Sequence, residues 1–412
     1  MGAASRQLSL ALVLMQWGLC LWSVKAQSWT PSSAPVLVWQ SIASSADGSL
    51  LLAAPNTGPL YISTNSAANW AQSGEPATNW SSVASSADGG TLVAATAVSI
   101  YISTNAGGNW GLANVSSSIG GNWISVACSA DGKTILAGNA AISGEAYGSE
   151  VFVSTNAGAS WTGNRLLEFL NCVTMSADGI RMVAVFNAVV GGGIMVSTNK
   201  GISWTYTSAP NRPWGSVSSS SDGTKLVATA GRVYLSEDSG GTWVEATNLE
   251  AQVTNANAFA ISVASSSTRS RIMVAYNGYF AGPIFESDDS GATWTQTDAP
   301  VAHWFPLACS ADGFRIAAAN GSNWSLNGTN AGPIYISQTM PEPLLTIEPS
   351  QDTVLLSWLV PSMTFGLQQA PDLTSGKWTP VPVQPSLNYS NLQYQVSIPR
   401  PQGTMFYRLV SQ

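Results

Sequence analysis

Trp80-Ser81-Ser82-Val83-Ala84-Ser85-Ser86-Ala87-Asp88-Gly89, continued by Ile100-Tyr101-Ile102-Ser103-Thr104-Asn105-Ala106-Gly107-Gly108-Asn109-Trp110, is the stretch whose reading decides the fold, because the chain repeats it. The position of Asp88 recurs at Asp47, Asp131, Asp178, Asp222, Thr268 and Asp312, at spacings of 41 to 47 residues. That makes seven units, the sixth degenerate, with Ser267-Thr268-Arg269 where most others read Ala-Asp-Gly. Each unit holds four strand-like stretches, in the second Trp80–Ser85, Thr91–Thr96, Ser99–Ser103 and Trp110–Asn114. Asp-Gly between the first two is a tight hairpin signal. Four short strands every ~40–45 residues without helical periodicity predict an all-β chain, a seven-bladed β-propeller of four-stranded blades.

Closure of the ring is also legible. The seventh unit ends at Ile334-Tyr335-Ile336-Ser337-Gln338 and lacks a Trp-bearing fourth strand. Ser28-Trp29-Thr30-Pro31-Ser32-Ser33-Ala34-Pro35, followed by Trp39, matches Ser203–Pro210 followed by Trp214 and Thr293–Pro300 followed by Trp304. An N-terminal strand over Trp29–Ala34 is therefore expected to complete the last blade and remove a free edge.

The second hairpin of each unit carries a recognisable pattern. Ser103–Trp110 resembles the Asp-box (BNR) motif of sialidase-like propellers, Ser-x-Asp-x-Gly-x-x-Trp, and recurs at Ser63–Trp70, Ser154–Trp161, Ser197–Trp204, Ser236–Trp243 and Ser287–Trp294. Asn65, Asn105, Asn156 and Asn199 stand where Asp238 and Asp289 keep the acid. A side-chain oxygen capping turn N–H groups and a residue able to take positive φ meet the need of the turn, so these six positions are read as structural. Trp29–Met340 also resembles the photosystem II stability and assembly factor family, whose members imply a protein-binding role. The sialidase resemblance would imply an arginine triad and an Arg-Ile-Pro motif; the chain has no Arg-Ile-Pro and no arginine between Arg6 and Arg165.

Composition narrows the function classes. The 412 residues are 45% hydrophobic and 9% charged, with a net charge of −7 and no Lys/Arg run, which argues against nucleic acid as a partner. Met1–Ala26 reads as a signal peptide, with Arg6, an apolar run Leu8–Leu21 and Val24-Lys25-Ala26 as the cleavage site; an uncleaved anchor is the alternative. An extracytoplasmic location follows, with no integral membrane segment after the leader. Cys128, Cys172 and Cys309, an odd number in the mature chain, read as small core residues rather than a disulfide framework. Neither His/Cys spacing nor a phosphate loop points to a metal or cofactor, and none is expected.

After Pro341-Glu342-Pro343 a different unit begins. Leu344–Gln412 shows β runs at Thr353–Leu359, Thr364–Gln369, Trp378–Val383, Leu392–Ile398 and Met405–Val410, and reads as a small immunoglobulin- or fibronectin-like sandwich. Leu356-Ser357-Trp358, Asp372-Leu373-Thr374-Ser375, Trp378 and Phe406-Tyr407-Arg408-Leu409 are similar to C-terminal domains of secreted verrucomicrobial-type proteins, which implies an extracytoplasmic setting.

Both kinds of hairpin turn fall on one face, so second-to-third-strand loops and crossovers share the other. Gly138–Glu150, Ala319–Pro333 and the crossover Val244–Ala258 are the long segments there, and long loops on a rigid scaffold are where function sits. Trp39, Trp80, Trp123, Trp214 and Trp304 lie eight residues before the turn position, with Leu170 and Ala260 in the other units. Such regular recurrence favours packing between neighbouring blades, and an aromatic ring at the channel mouth that stacks on a ligand is the alternative that makes them ligand-contact candidates. His303, the lone histidine, and Arg212 are further ligand-contact candidates. Hydrolysis would need paired carboxylates about 5–10 Å apart. Glu75, Glu145, Glu150, Glu168, Glu245, Glu250 and Asp298 are acids on this face without a motif, Glu145 and Glu150 being the catalytic candidates. The reading is an exported, monomeric, non-enzymatic propeller that binds protein or polysaccharide, with a glycoside hydrolase as the alternative.

Overall fold

The computed structural model describes residues 28–74, 78–115, 122–140, 148–166, 169–187, 192–253, 258–277, 281–321, 331–339, 343–361, 364–374 and 376–411. The leader Met1–Ala26 and the acids Glu75, Glu145 and Glu168 lie outside them. The described chain is almost entirely β. Between Trp29 and Gln338 it forms four-stranded antiparallel sheets, each from four neighbouring strands except one. In the second, Trp80–Ser85, Leu92–Thr96, Ile100–Ser103 and Gly111–Leu112 pair in order.

The burial gradient across a sheet explains the composition. Second strands such as Leu92–Thr96 and Met182–Phe186 are buried at every residue, packed on both faces, and are built from Leu, Val, Ala, Met and Phe with a single Thr. Outer strands such as Ala71–Gln72 and Thr205–Tyr206 are two exposed residues long, too short to template another chain.

Each inner hairpin is held by its own side chains. The Ser86 hydroxyl donates to Asp88 Oδ1 (2.6 Å) and accepts the Thr91 N–H (2.9 Å), while Asp88 Oδ1 accepts the Gly90 N–H (2.8 Å). Gly89 takes φ of +71° at the point where the chain reverses. The degenerate sixth turn keeps this geometry with Arg269 at φ +55°, its guanidinium turned onto Glu237 of the preceding sheet. The second hairpins use the same device. Ser63 Oγ accepts the Ala67 N–H (2.9 Å), and Asn65 Oδ1 accepts the Asn69 N–H (2.9 Å).

These turns also join sheet to sheet. The residue two before each turn Gly donates its N–H to the equivalent carbonyl of the next sheet: Ala46 to Ala87, Ala87 to Ala130, Ala130 to Ala177, Ala177 to Ser221, Ser221 to Ser267, Ser267 to Ala311, and Ala311 back to Ala46, all at 2.6–2.9 Å. The circuit closes on itself. A second circuit runs through the inner strands, where the Ser41 hydroxyl accepts the Val83 N–H, Ser82 that of Val126, Ser125 that of Val173, Ser216 that of Val263 and Ser262 that of Leu307. Cys172 holds this position in the fourth sheet, its thiol against the Val217 N–H, and Pro306 holds it in the last.

The exceptional sheet is the last. Trp29–Pro31 pairs antiparallel with Ile334–Gln338, Trp29 opposite Ser337 and Pro31 opposite Tyr335, so the chain's first described strand supplies the outer edge of the sheet made by its final repeat. Trp29 stacks on Trp304 at 6.2 Å and completes the apolar cluster of that sheet.

Two local expectations change. The crossover after Val244–Glu245 contains a short helix, Thr247–Glu250, because Leu249 is fully buried against Val233, Ala260 and Tyr276 and one helical turn is the shortest way to deliver it. The segment from Gly138 is less of a loop than expected: Ile135–Ala140 and Ser149–Ser154 pair as far as Ala140 opposite Ser149, which draws Glu150 into the ladder between Asn139 and Arg165.

Beyond Pro343 there are two further sheets, one ordered Thr346–Pro349, Thr353–Leu359, Gln393–Pro399, Ser386–Asn388, the other Thr379–Pro380, Phe365–Ala370, Phe406–Ser411. They share an apolar core of Val354, Leu356, Trp358, Leu367, Val381, Val396 and Ile398. Val360, Leu387, Leu392 and Tyr394 of this unit pack on Ala46, Ala87 and Ala311, residues of the closed main-chain circuit.

Candidate binding face

The crossovers and the second-to-third-strand loops meet on the face opposite the capped turns. The five tryptophans expected at the axial mouth stand at the start of their inner strands but face inward. Trp39, Trp214 and Trp304 are 0% exposed, Trp123 2% and Trp80 3%. Each meets an aromatic on the third strand of its own sheet edge-on: Tyr61, Tyr101, Phe152, Tyr234 and Tyr335, with centroids 5.0–5.7 Å apart and planes at 70–83°. Trp39 Nε1 donates to the Gly332 carbonyl (3.0 Å) and Trp80 Nε1 to that of Gly58 (2.8 Å), which ties loops down onto the rings. None of these five indoles offers a face to a ligand. They are the pillars of the face.

The mouth itself is lined one residue later. The ladders shift register just after these positions, at Trp39/Ser41, Trp80/Ser82, Trp123/Ser125, Leu170/Cys172 and Trp304/Leu307, and at such a bulge the next residue borders the axis: Gln40, Ser81, Ile124, Asn171 and Phe305, with Gly215 in the fifth sheet.

Of the acids, Glu150 is 6% exposed within its ladder. Glu245 and Glu250 converge beside Arg232. Arg232 Nη1 binds Glu245 Oε1, and the Tyr234 hydroxyl donates to Glu245 Oε2 (3.1 Å). Glu250 Oε1 accepts the Tyr276 hydroxyl (2.7 Å) and the Val233 N–H (3.4 Å). Hydrogen bonds from Arg232 hold the Glu245 carboxyl below its ordinary value. Burial, reinforced by Glu250, pushes the Tyr276 phenol well above the tyrosine range. A general acid needs a raised carboxyl pKa and a nucleophilic phenol a lowered one, so Glu245 does not suit the first role or Tyr276 the second; an ionised Glu245 suits a base. The cluster spans the fifth and sixth repeats and was not assembled from sequence, because its members come from a loop, a strand end, the helix and the neighbouring sheet.

Arg212 is exposed in the crossover beside Tyr234 and Glu245, whose ionisation feels its charge. His303 Nδ1 lies 2.9 Å from Asn277 Oδ1, and burial lowers its pKa, so the ring is neutral at pH 7. Asp298 is exposed. Among the described residues no three His, Cys, Asp or Glu side chains are grouped to hold a metal, and no helix is long and apolar enough to cross a membrane.

No family model matches the chain, and no curated protein matches it. Solved structures do. YCF48 from Cyanidioschyzon merolae is similar with a TM-score of 0.53 and 15% identity, over 76% of this chain and 98% of that one. YCF48 bound to D1 peptide is similar at 0.56 and 12%, over 77% and 97%. The GH74 xyloglucanase from Xanthomonas campestris is similar at 0.54 and 14%, over 81% of this chain and 59% of that one. The fold is a β-propeller. The axis of the propeller is the channel bounded by the inner strands, and the crossover face carries its open rim.

Proposed function

We propose that the chain is a seven-bladed propeller of Asp-box type with a small C-terminal β-sandwich, exported from the cell, that binds a protein or polysaccharide ligand through its crossover face and performs no chemistry there. The observation that carries this reading is the state of Glu245 and Glu250. The two converging acids of the face are engaged by Arg232, Tyr234, Tyr276 and a main-chain N–H, so their oxygens are taken up by the protein's own donors rather than turned to a ligand. What remains is a rigid rim of polar and apolar groups on indole pillars, the exposed Arg212 and the half-buried Gln40, Asn171 and Phe305 among them. The likeness to a YCF48 bound to a peptide supports a protein ligand.

The test is pull-down and glycan-array binding by the parent and by the combined Gln40→Ala, Arg212→Ala, Phe305→Ala variant, with thermal unfolding as the folding control. Binding by the parent and its loss in the folded variant support the reading; equal binding by both removes this face as the site.

A second reading, a glycoside hydrolase, draws on the convergence of Glu245 and Glu250 and on the likeness to a GH74 xyloglucanase. Product release from xyloglucan or another neutral polysaccharide, abolished by Glu250→Gln with the fold intact, would establish it over the first.

A further inference from the structure

The axial channel has two different ends. On the crossover side it opens through the rim. On the turn side, the C-terminal unit lies against the closed circuit, and Leu392 sits among the Ser, Ala and Cys residues at the channel's end. Between them is a cavity of 410 Å³ that shares Ser44, Ser85, Cys128, Ser265 and Cys309 with a narrower one of 180 Å³ at the closed end. Among the described residues no charged side chain lines either one.

The wall is polar without being ionic. Five of the sheets place serines on it, the fourth supplies Thr174 and, at the rim, Asn171, and the last supplies Phe305, Pro306, Leu307, Ala308 and Cys309. At the closed end the Ser267 hydroxyl is buried, its residue 7% exposed, and has no hydrogen-bond partner among the described residues. Most other repeats place alanine there. A buried hydroxyl without a partner is costly and therefore marks a place where something polar fits.

We infer that the axial channel is a one-ended binding pocket for the uncharged end of a neutral saccharide chain, entered from the crossover face and floored by Leu392. This rests on the crossover-face reading and names its ligand class. A free peptide terminus carries a charge, and the described wall, with no ionic group, would leave that charge buried and unpaired. A neutral sugar end brings only hydroxyls and apolar ring faces, which match serine hydroxyls and the Phe305 and Ile124 side chains of the rim. A six-residue inner strand spans about 20 Å, the scale of a short oligosaccharide.

The experiment is calorimetric titration of the full chain with cellotetraose, xylotetraose, mannotetraose and, as the charged comparison, tetragalacturonate. At least one neutral tetrasaccharide should bind and the acidic one should not. Thr174→Phe, which fills the channel, should weaken binding by more than about ten-fold. Gln40→Trp, which narrows the mouth without entering the core, serves where Thr174→Phe does not fold. Ser267→Ala should weaken binding while leaving the melting temperature unchanged or higher, a split that a purely structural role would not produce. No binding of any neutral tetrasaccharide, or binding indifferent to both channel-filling variants, overturns the inference. Loss on the rim triple variant without loss on Thr174→Phe or Gln40→Trp leaves the face as a binding surface and removes the channel as its pocket.

Discussion

At the scale of single residues, the turns are self-contained: a serine, a carboxylate or amide, and a positive-φ residue satisfy one another within a few positions. Ser86 is 1% exposed and bonds both to Asp88 and to the Thr91 N–H. Ser86→Ala should therefore cost about 1–3 kcal/mol in urea unfolding, because it leaves a buried N–H unsatisfied. The outer hairpins give a pH prediction. Asp238 is held below the ordinary carboxylate value by the Thr242 N–H and hydroxyl, and Asp289 by the Thr293 hydroxyl and N–H. A lowered folded pKa means stability that is full above the unfolded value of about 3.9 and is lost as pH falls through the lowered one. Asparagine occupies the same position in four other hairpins, where it caps the turn equally. The double variant Asp238→Asn, Asp289→Asn should thus keep its fold at pH 7 and lose less melting temperature than the parent between pH 5 and pH 2. A parallel fall in both would remove these two acids from the acid limb.

At the scale of elements, the last blade is the informative case. Its outer strand comes from the other end of the described chain, and the match of Trp29 and Trp39 to Trp204 and Trp214 made that pairing legible before any coordinates. Removing residues 27–33 should lower the melting temperature by several degrees and expose Ile334–Gln338 as a free edge, read as aggregation in light scattering at temperatures where the parent stays clear. The crossover helix was not legible, since four residues carry no period; only Leu249, apolar in a polar stretch, hinted at it. Leu249 is fully buried, so Leu249→Ala should cost about 2–5 kcal/mol and loosen the segment that presents Glu250. The tryptophans show one pattern open to two readings. Their spacing placed them at the head of the inner strands, and packing is the reading that holds there, because an indole is the largest apolar group a blade can bury and the neighbouring sheets take it. The rim then falls to its neighbours Gln40, Ser81, Asn171 and Phe305, whose types vary between repeats and therefore escape a search for recurrence.

At the scale of the whole molecule, the question is what the C-terminal unit contributes to the ring. Its contact consists of Val360, Leu387, Leu392 and Tyr394 against small residues of the turn-side circuit. The circuit of main-chain bonds passes through Ala46, Ala87, Ala130, Ala177, Ser221, Ser267 and Ala311 without using any atom of that unit. The sheet that closes the ring is completed by Trp29–Pro31. The ring therefore contains everything needed for its own closure, and a chain ending at Thr339 should fold, with the same far-ultraviolet β signature and a melting temperature lower by only a few degrees. What the truncation should change is the axis. With Leu392 gone, the alanine and serine floor faces water and the channel is open at both ends. If the truncated chain does not fold, the C-terminal unit is part of the ring's core rather than its cover. If it folds and melts at the parent temperature, the contact through Val360 and Leu392 contributes nothing to stability, and its role is confined to closing the channel.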